Sequence, residues 1–232
     1  MIGLVHVVGI GRAGAALAGR LQAAGVAVTI GRDVNPDAEL VLLAVPDSAI
    51  GEVAAAIPVG PWVAHVSGAT SVTALAPHER RFSLHPLQTL TTDRGPEQLD
   101  GAWAALTFED PESGAMARTL AEQLGLRWFF VADGDKPLYH AGASIASNFL
   151  VTLYRMASEL FEASGAPPEA LVPLMRRVIE NGFQLTGPIA RGDWATVDAH
   201  LAAIRAQAPQ VEPVYQALAD ATREVARRES GE

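Results

Sequence analysis

Seven short apolar runs punctuate the first 132 residues: LVHVVGI from Leu4, VAVTIG from Val26, LVLLAV from Leu40, WVAHV from Trp62, RFSLH from Arg81, AALTFE from Ala104 and RWFFVA from Arg127. They are rich in Val, Leu and Ile, and most stay apolar throughout instead of alternating with polar residues. Strands of that kind are buried on both faces. The stretches between include helical patterns, one opening at Arg12 and another at Glu112–Gly125 (ESGAMARTLAEQLG). Strands interleaved with helices predict a doubly wound, mainly parallel α/β sheet.

After VADGD the period changes and no strand candidate recurs. Helical patterns run over about 136–164, 168–184, 193–207 and 213–228, separated by GAPP, TGPIARG and a Pro-containing link. The expected organisation is therefore a Rossmann-like α/β domain over residues 1–133 and a smaller all-α domain over 134–232.

With 49% hydrophobic and 19% charged residues, the chain has ample material for a packed core. Its net charge of -9 and lack of any basic run argue against nucleic acid as a partner. It has no cysteine, which excludes thiol chemistry and fits a reducing compartment, so a cytoplasmic location is expected. The apolar N-terminus lacks the basic region of a secretory signal, and its first charge, Arg12, follows the apolar run. PLYHAGASIASNFLVTLY carries histidine, asparagine and serines, which suits a membrane span poorly, so no membrane partner is expected.

Directly after the first strand, GIGRAG sets Gly9, Gly11 and Gly14 in G-x-G-x-x-G spacing around Ile10, Arg12 and Ala13. The first glycine permits a tight turn, the second lets a pyrophosphate approach the backbone, and the third packs helix on strand. At the end of the second strand, where an NAD site would place a carboxylate, stand Gly31 and Arg32. A small residue followed by a cation suits a 2'-phosphate, so NADP is expected over NAD, with Asp33 as the competing signal.

Ligands of open α/β sheets lie beyond the carboxyl ends of the strands. The residues there are Val45, Pro46 and Asp47; His65, Ser67 and Gly68; and His85 to Gln88. Val45, Pro46, Ser67 and Gly68 are expected to line the cofactor. Histidine in such a position polarises a carbonyl or exchanges a proton near neutral pH. His85 is the stronger candidate, whereas His65 is read first as bonding a neighbouring loop. His6, His78 and His200 are read as structural. His65, His85 and His140 would be the residues for a metal-assisted alternative, but no fixed-spacing motif supports one, and no metal is expected.

One residue stands out by composition. Lys136 is the chain's single lysine; the other sixteen of its 17 Lys and Arg residues are arginines. Lysine can lose its proton when buried, and arginine cannot. Lys136 opens a helix that Asp135 is placed to cap and Pro137 is suited to begin. A cation in that first turn opposes the helix dipole, at a cost of about 0.3–1 kcal/mol. At 3.6 residues per turn, Lys136, His140, Ala143, Ser144 and Ser147 share one face, with Asn148 around the side.

GIGRAG, Gly31-Arg32, AVPD (44–47), HVSGA (65–69), HPLQT (85–89), KPLYHAGASIASN (136–148) and LTGPIARGD (185–193) occur in order. On these motifs the chain resembles a family of Rossmann-like proteins with a C-terminal helical domain of unknown function. That family sits in the group of ketopantoate reductase, pyrroline-5-carboxylate reductase, prephenate dehydrogenase and the 6-phosphogluconate and 3-hydroxyisobutyrate dehydrogenases. In the hydroxyacid dehydrogenases of that group, the interdomain helix opens with a catalytic lysine followed four residues later by asparagine. Lys136 matches the lysine, and His140 stands in the asparagine's place. HPLQT is similar to the His-Pro-Met segment of prephenate dehydrogenases.

The resemblance implies an NADP-dependent oxidoreductase acting on a small carbonyl, hydroxyl or imine substrate in an interdomain cleft, and a homodimer. Lys136 would be the acid/base or oxyanion partner, His85 and His140 auxiliary donors, and Asn148 an orienting group. Ser144, Asn181 and Thr186 would contact substrate. In ENGFQLTGPIARGDW the same residues also read as a helix stop and start, with Asp193 capping the next helix. The alternative from another class is an NADP-binding sensor or scaffold without turnover.

Overall fold

The computed structural model describes residues 1–230 of the chain. It divides into two compact units, Met1–Ser147 and the residues from Asn148 onward. The first carries strands β1 (Leu4–Val8), β2 (Ala27–Ile30), β3 (Leu40–Leu43), β4 (Trp62–His65), β5 (Arg81–Leu87), β6 (Trp103–Thr107) and β7 (Arg127–Phe130). Its helices are α1 (Arg12–Ala23), α2 (Ile50–Ala55), α3 (Pro111–Gln123) and α4 (Lys136–Ser144). All seven apolar runs form strands, in one sheet of order β2-β1-β3-β4-β5-β6-β7.

The strands from β1 to β5 are parallel, whereas β6 runs antiparallel to β5 and takes β7 with it. The cause is the link over 88–102. It holds only a 3₁₀ turn, Pro96–Leu99, and no crossover helix, so the chain re-enters the sheet reversed.

Alternation along each strand divides the core between the two faces. Val5, Val7, Leu40, Leu42, Phe82 and Leu84 pack with Leu17 and Leu21 of α1 and Leu120 of α3. Val8, Val41, Leu43 and Val63 pack on the other face with Ile50 and Ala54 of α2. Helix α2 is only six residues long. Further along that second face, period 2 brings His65 of β4 and Ser83 and His85 of β5, so a polar strip replaces the apolar one. These residues form the site described below.

The second unit holds α5 (Leu150–Ala163), α6 (Leu171–Glu180), α7 (Trp194–Gln207) and α8 (Glu212–Ser230), and no strand among the described residues. Ile204, Ala208 and Val211 form its buried cluster, with Met156, Leu160 and Tyr215 packed against them. Asp193 caps α7 as expected: its carboxylate accepts from Thr196 N at 3.2 Å and from Thr196 Oγ1 at 2.7 Å. Helix α6 stops at Asn181 because Gly182 and Phe183 both take left-handed backbone, with φ of 67° and 60°. Among the described residues no helix is long and apolar enough to cross a membrane.

Candidate functional site

The glycine loop follows β1 as its spacing requires. Gly9 has φ of 108°, and a Cβ there would run into the carbonyl oxygen of Ala44. A Cβ on Gly14 would collide with Gly9 O, so both glycines are needed by the fold itself. Gly11 differs, because a Cβ there would meet nothing within 4 Å. Gly11 is the N-cap of α1 and supplies no side-chain cap, and the first turn carries no acidic residue. The first N–H groups of α1 therefore face open space with the positive end of the helix dipole, the arrangement that accepts a phosphate. Ile10, Gly11 and Arg12 are exposed, and Ala13 is half-buried.

Strand β2 ends at Ile30, so Gly31 is the first residue beyond it, where the sequence placed it, followed by exposed Arg32 and Asp33. The buried His6 steadies this corner. Its Nδ1 lies 2.8 Å from Thr29 Oγ1 and its Nε2 3.2 Å from Gly31 O. Val45 and Pro46 lie just past β3. Val45 is half-buried against the core, and its Cγ1 is 3.4 Å from the position of a Gly9 Cβ. Pro46 is exposed at the start of a 3₁₀ turn, Asp47–Ala49.

Register then lines up the strand ends: Val8 pairs with Leu43, Leu43 with His65, and His65 with Ser83. Lys136 reaches this row from the first residue of α4. Its side chain is 2% exposed, and Nζ donates to Ser83 Oγ at 2.7 Å and to Ser67 O at 3.1 Å. Among the described residues no carboxylate forms an ion pair with it. Burial, opposed by the charges of Asp133 and Asp47, lowers it from 10.5 to about 8. The ammonium form prevails at neutral pH and is close to releasing its proton.

Ser67 anchors the loop after β4. Its N–H donates to His65 Nδ1 at 3.2 Å, its hydroxyl donates to Asp47 Oδ2 at 2.7 Å, and Ser67 Oγ in turn accepts from Thr70 N at 2.9 Å. Asp133 ties the same loop to the turn before α4 by accepting from the Ser71 hydroxyl and from Val72 N. His65 therefore serves its own loop. Burial, then the charge of Lys136, lowers it to about 4, so it is neutral.

His85 and His140 stand on either side of Gly68. A Cβ on Gly68 would lie 2.7 Å from His140 Nδ1 and 3.0 Å from His85 Nδ1, so this glycine admits both rings. Their centroids are 5.7 Å apart, edge to face. His85 Nδ1 is 2.7 Å from Tyr139 Oη, and His140 Nδ1 is buried without a partner. Burial first, then His140 and Lys136, lowers His85 to about 4. Burial pushes the Tyr139 phenol up to about 12. Among the described residues no group of three His, Asp or Glu is placed to hold a metal.

The structure thus brings together Lys136, His85, His140, Ser67 and Gly68. Asp135 occupies the N-cap position of α4 without a side-chain bond, because Asp133 makes the local carboxylate contacts instead. Ser144 is half-buried at the end of α4, before a π-helical turn, Ile145–Phe149, in which Ser147 Oγ donates to Ala143 O at 2.7 Å. Asn148, Asn181 and Thr186 belong to the second unit and are exposed there. Sequence reading passed over Ser83, Asp133 and Tyr139. Ser83 is two positions before His85 and so on its face of β5, and Tyr139 is three after Lys136, one helical turn away.

Residues 102–222 match the family model described as "Domain of unknown function (DUF2520)", just over half the chain. The chain belongs to the DUF2520 family. No curated protein matches this DUF2520 sequence. In structure it is similar to a Bacteroides fragilis protein provisionally assigned as an NADP oxidoreductase, at 20% identity, TM-score 0.81, over 96% of this chain and 98% of that one. A Thermotoga maritima protein is similar at 25% identity and TM-score 0.77, over 97% and 99% of the two chains. A reductive aminase from Aspergillus terreus, in complex with NADPH and ethyl-5-oxohexanoate, shares 16% identity at TM-score 0.67 over 97% and 95%. The likenesses at 20% and 16% concern the fold of the DUF2520 protein.

Proposed function

We propose that this protein is an NADP-dependent oxidoreductase that transfers a hydride to or from a small carbonyl, hydroxyl or imine compound. The observation that carries this reading is the shared edge of the sheet. The open N-terminus of α1 and the Lys136, Ser83, His85 and Tyr139 cluster both stand at the carboxyl ends of the parallel strands. The fold neighbours provisionally assigned as an NADP oxidoreductase and crystallised with NADPH support it.

Bound NADPH would supply the hydride. The N–H groups of Arg12 and Ala13, beside Gly11, would hold its pyrophosphate, and Arg32 its 2'-phosphate. Val45 and Pro46 would flank it. Lys136 sets a positive potential along the edge and acts through Ser83, whose hydroxyl accepts from Nζ and keeps its own proton to donate. His85 and His140 are the imidazoles nearest to a reacting atom. Ser144, Asn148, Asn181 and Thr186 remain the proposed substrate contacts, and a homodimer the proposed assembly.

Titration of the protein with NADPH, followed by cofactor fluorescence, tests this reading. NADPH is expected to bind at least tenfold more tightly than NADH, and Arg32→Ala to erase the preference. Gly11→Ala should weaken NADPH binding at least tenfold with an unchanged melting temperature, because its methyl group enters the phosphate space and nothing else. No binding of either nucleotide at millimolar concentration would end the oxidoreductase reading.

A further inference from the structure

Tyr139 stands in the cluster without an assigned task, yet its phenol makes the one side-chain hydrogen bond that His85 has among the described residues. The rings meet edge to face at 81°, with Nδ1 turned to the phenol and closed off by Gly68. His85 Nε2 has no partner among the described residues. Which ring nitrogen carries the proton decides what the site offers to a substrate.

A neutral imidazole and a neutral phenol can pair in two ways. If the phenol donates to Nδ1, its hydrogen is satisfied and the imidazole proton resides on Nε2. If Nδ1 donates to the phenol oxygen, the phenolic hydrogen has no acceptor among the described residues, and Nε2 is a bare lone pair. Phenols donate more readily than they accept, because the oxygen lone pair is delocalised into the ring. Leaving the half-buried phenolic hydrogen without an acceptor is the costlier arrangement, which favours the first pairing. The depressed His85 and raised Tyr139 agree with both groups staying neutral at pH 7.

We propose that Tyr139 is a positioning residue that holds His85 in the Nε2-protonated tautomer, so that the site offers a neutral N–H donor and takes a carbonyl rather than an iminium substrate. This deepens the oxidoreductase reading and rests on it for the chemistry. A carbonyl oxygen has lone pairs to accept from Nε2–H and gains negative charge as hydride arrives, so the bond strengthens toward the transition state. The nitrogen of an iminium has no lone pair, carries an N–H or alkyl group and bears positive charge. It would meet a donor where it needs an acceptor, near the ammonium of Lys136.

The carbonyl carbon gains a hydride, with NADPH oxidised to NADP+, and the C=O π pair moves to oxygen. His85 gives that oxygen its Nε2 proton and takes the Tyr139 proton at Nδ1. The Nδ1 proton then returns to the phenolate as solvent reprotonates Nε2, which restores the starting tautomer.

Nitrogen NMR of protein labelled with ¹⁵N-histidine tests the tautomer at pH 7, with the His85 signals assigned by their loss in His85→Gln. Nε2 is expected to be protonated and Nδ1 to appear as a hydrogen-bonded acceptor. In Tyr139→Phe, the signals should change to a mixture of tautomers. A wild-type His85 protonated at Nδ1, or at both nitrogens, would overturn the proposal. So would an unchanged pattern in Tyr139→Phe that melts at the wild-type temperature. Should that variant fail to fold, the wild-type spectrum alone decides. The spectra need no cofactor, so failure of NADPH to bind would sink the oxidoreductase reading while leaving the tautomer assignment standing.

Discussion

The strand-edge environment sets the protonation of two buried side chains, Lys136 and His65, and of the half-buried His85. Lys136 and His65 share the Ser67 loop, one bonding its carbonyl and the other its N–H, and His85 lies two residues along β5 from Ser83. For the two histidines the consequence is a stability that depends on pH. Each has a folded pKa of about 4 against 6.5 for the free side chain. Between those values the unfolded chain binds more protons, so stability rises with pH across the window and is lost as pH falls from 6.5 toward 4. For the fully buried His65 the loss is on the order of 2–3 kcal/mol. The urea midpoint should therefore fall between pH 7 and pH 4.5, and His65→Asn, which keeps an acceptor for Ser67 N but does not titrate, should flatten that fall. An equal slope in wild type and variant would contradict the assignment. Lys136 was legible as an outlier of composition, and the structure supplies the reason arginine would not serve. The cage of Ser67 O and Ser83 Oγ presents two acceptors to a compact ammonium, with no carboxylate for a guanidinium fork.

The strands and helices were legible because their apolar period is unbroken, as in β3, where Leu40 and Leu42 serve one face and Val41 and Leu43 the other. The reversed direction of β6 was not. An apolar run reads the same in either direction, and only the missing crossover helix between Leu87 and Trp103 decides it. Helix α4 shows a second limit. Its polar face is the inward one, with Lys136 buried and Tyr139, His140, Ala143 and Ser144 half-buried, while Leu138 is 79% exposed. The shared face of Lys136 and His140 followed from the helical period, but the partners across from it did not. Ser83 and Gly68 come from 53 and 68 residues upstream, brought there by the parallel register of β4 and β5. The π-helical turn at Ile145–Phe149 carries no marker in the sequence and shifts the helical phase before Asn148.

At the scale of the whole molecule, the two units differ in how they dispose of apolar side chains. The sheet of the first packs an apolar cluster on each face, whereas the second buries few residues. Helix α6 buries Leu171 but leaves Val172, Leu174, Val178 and Ile179 between 45% and 59% exposed. Helix α5 likewise exposes Leu150, Val151 and Leu153. Contiguous apolar faces of this kind seek a partner surface, and a second copy of the chain supplies an identical one. Light scattering at micromolar concentration is expected to give twice the chain mass, and Val178→Glu with Ile179→Glu to give the monomer. A wild-type monomer would contradict this assembly.

The strand edge is built around a buried ammonium held near the point of losing its proton. Because the chain has one lysine, protein grown with ¹³Cε-lysine gives a single resonance, which can be followed from pH 6 to 11 without assignment. The expected midpoint is near 8, displaced from 10.5 by burial against Ser67 and Ser83. A midpoint at 10.5 would contradict it, leaving Lys136 a solvated cation.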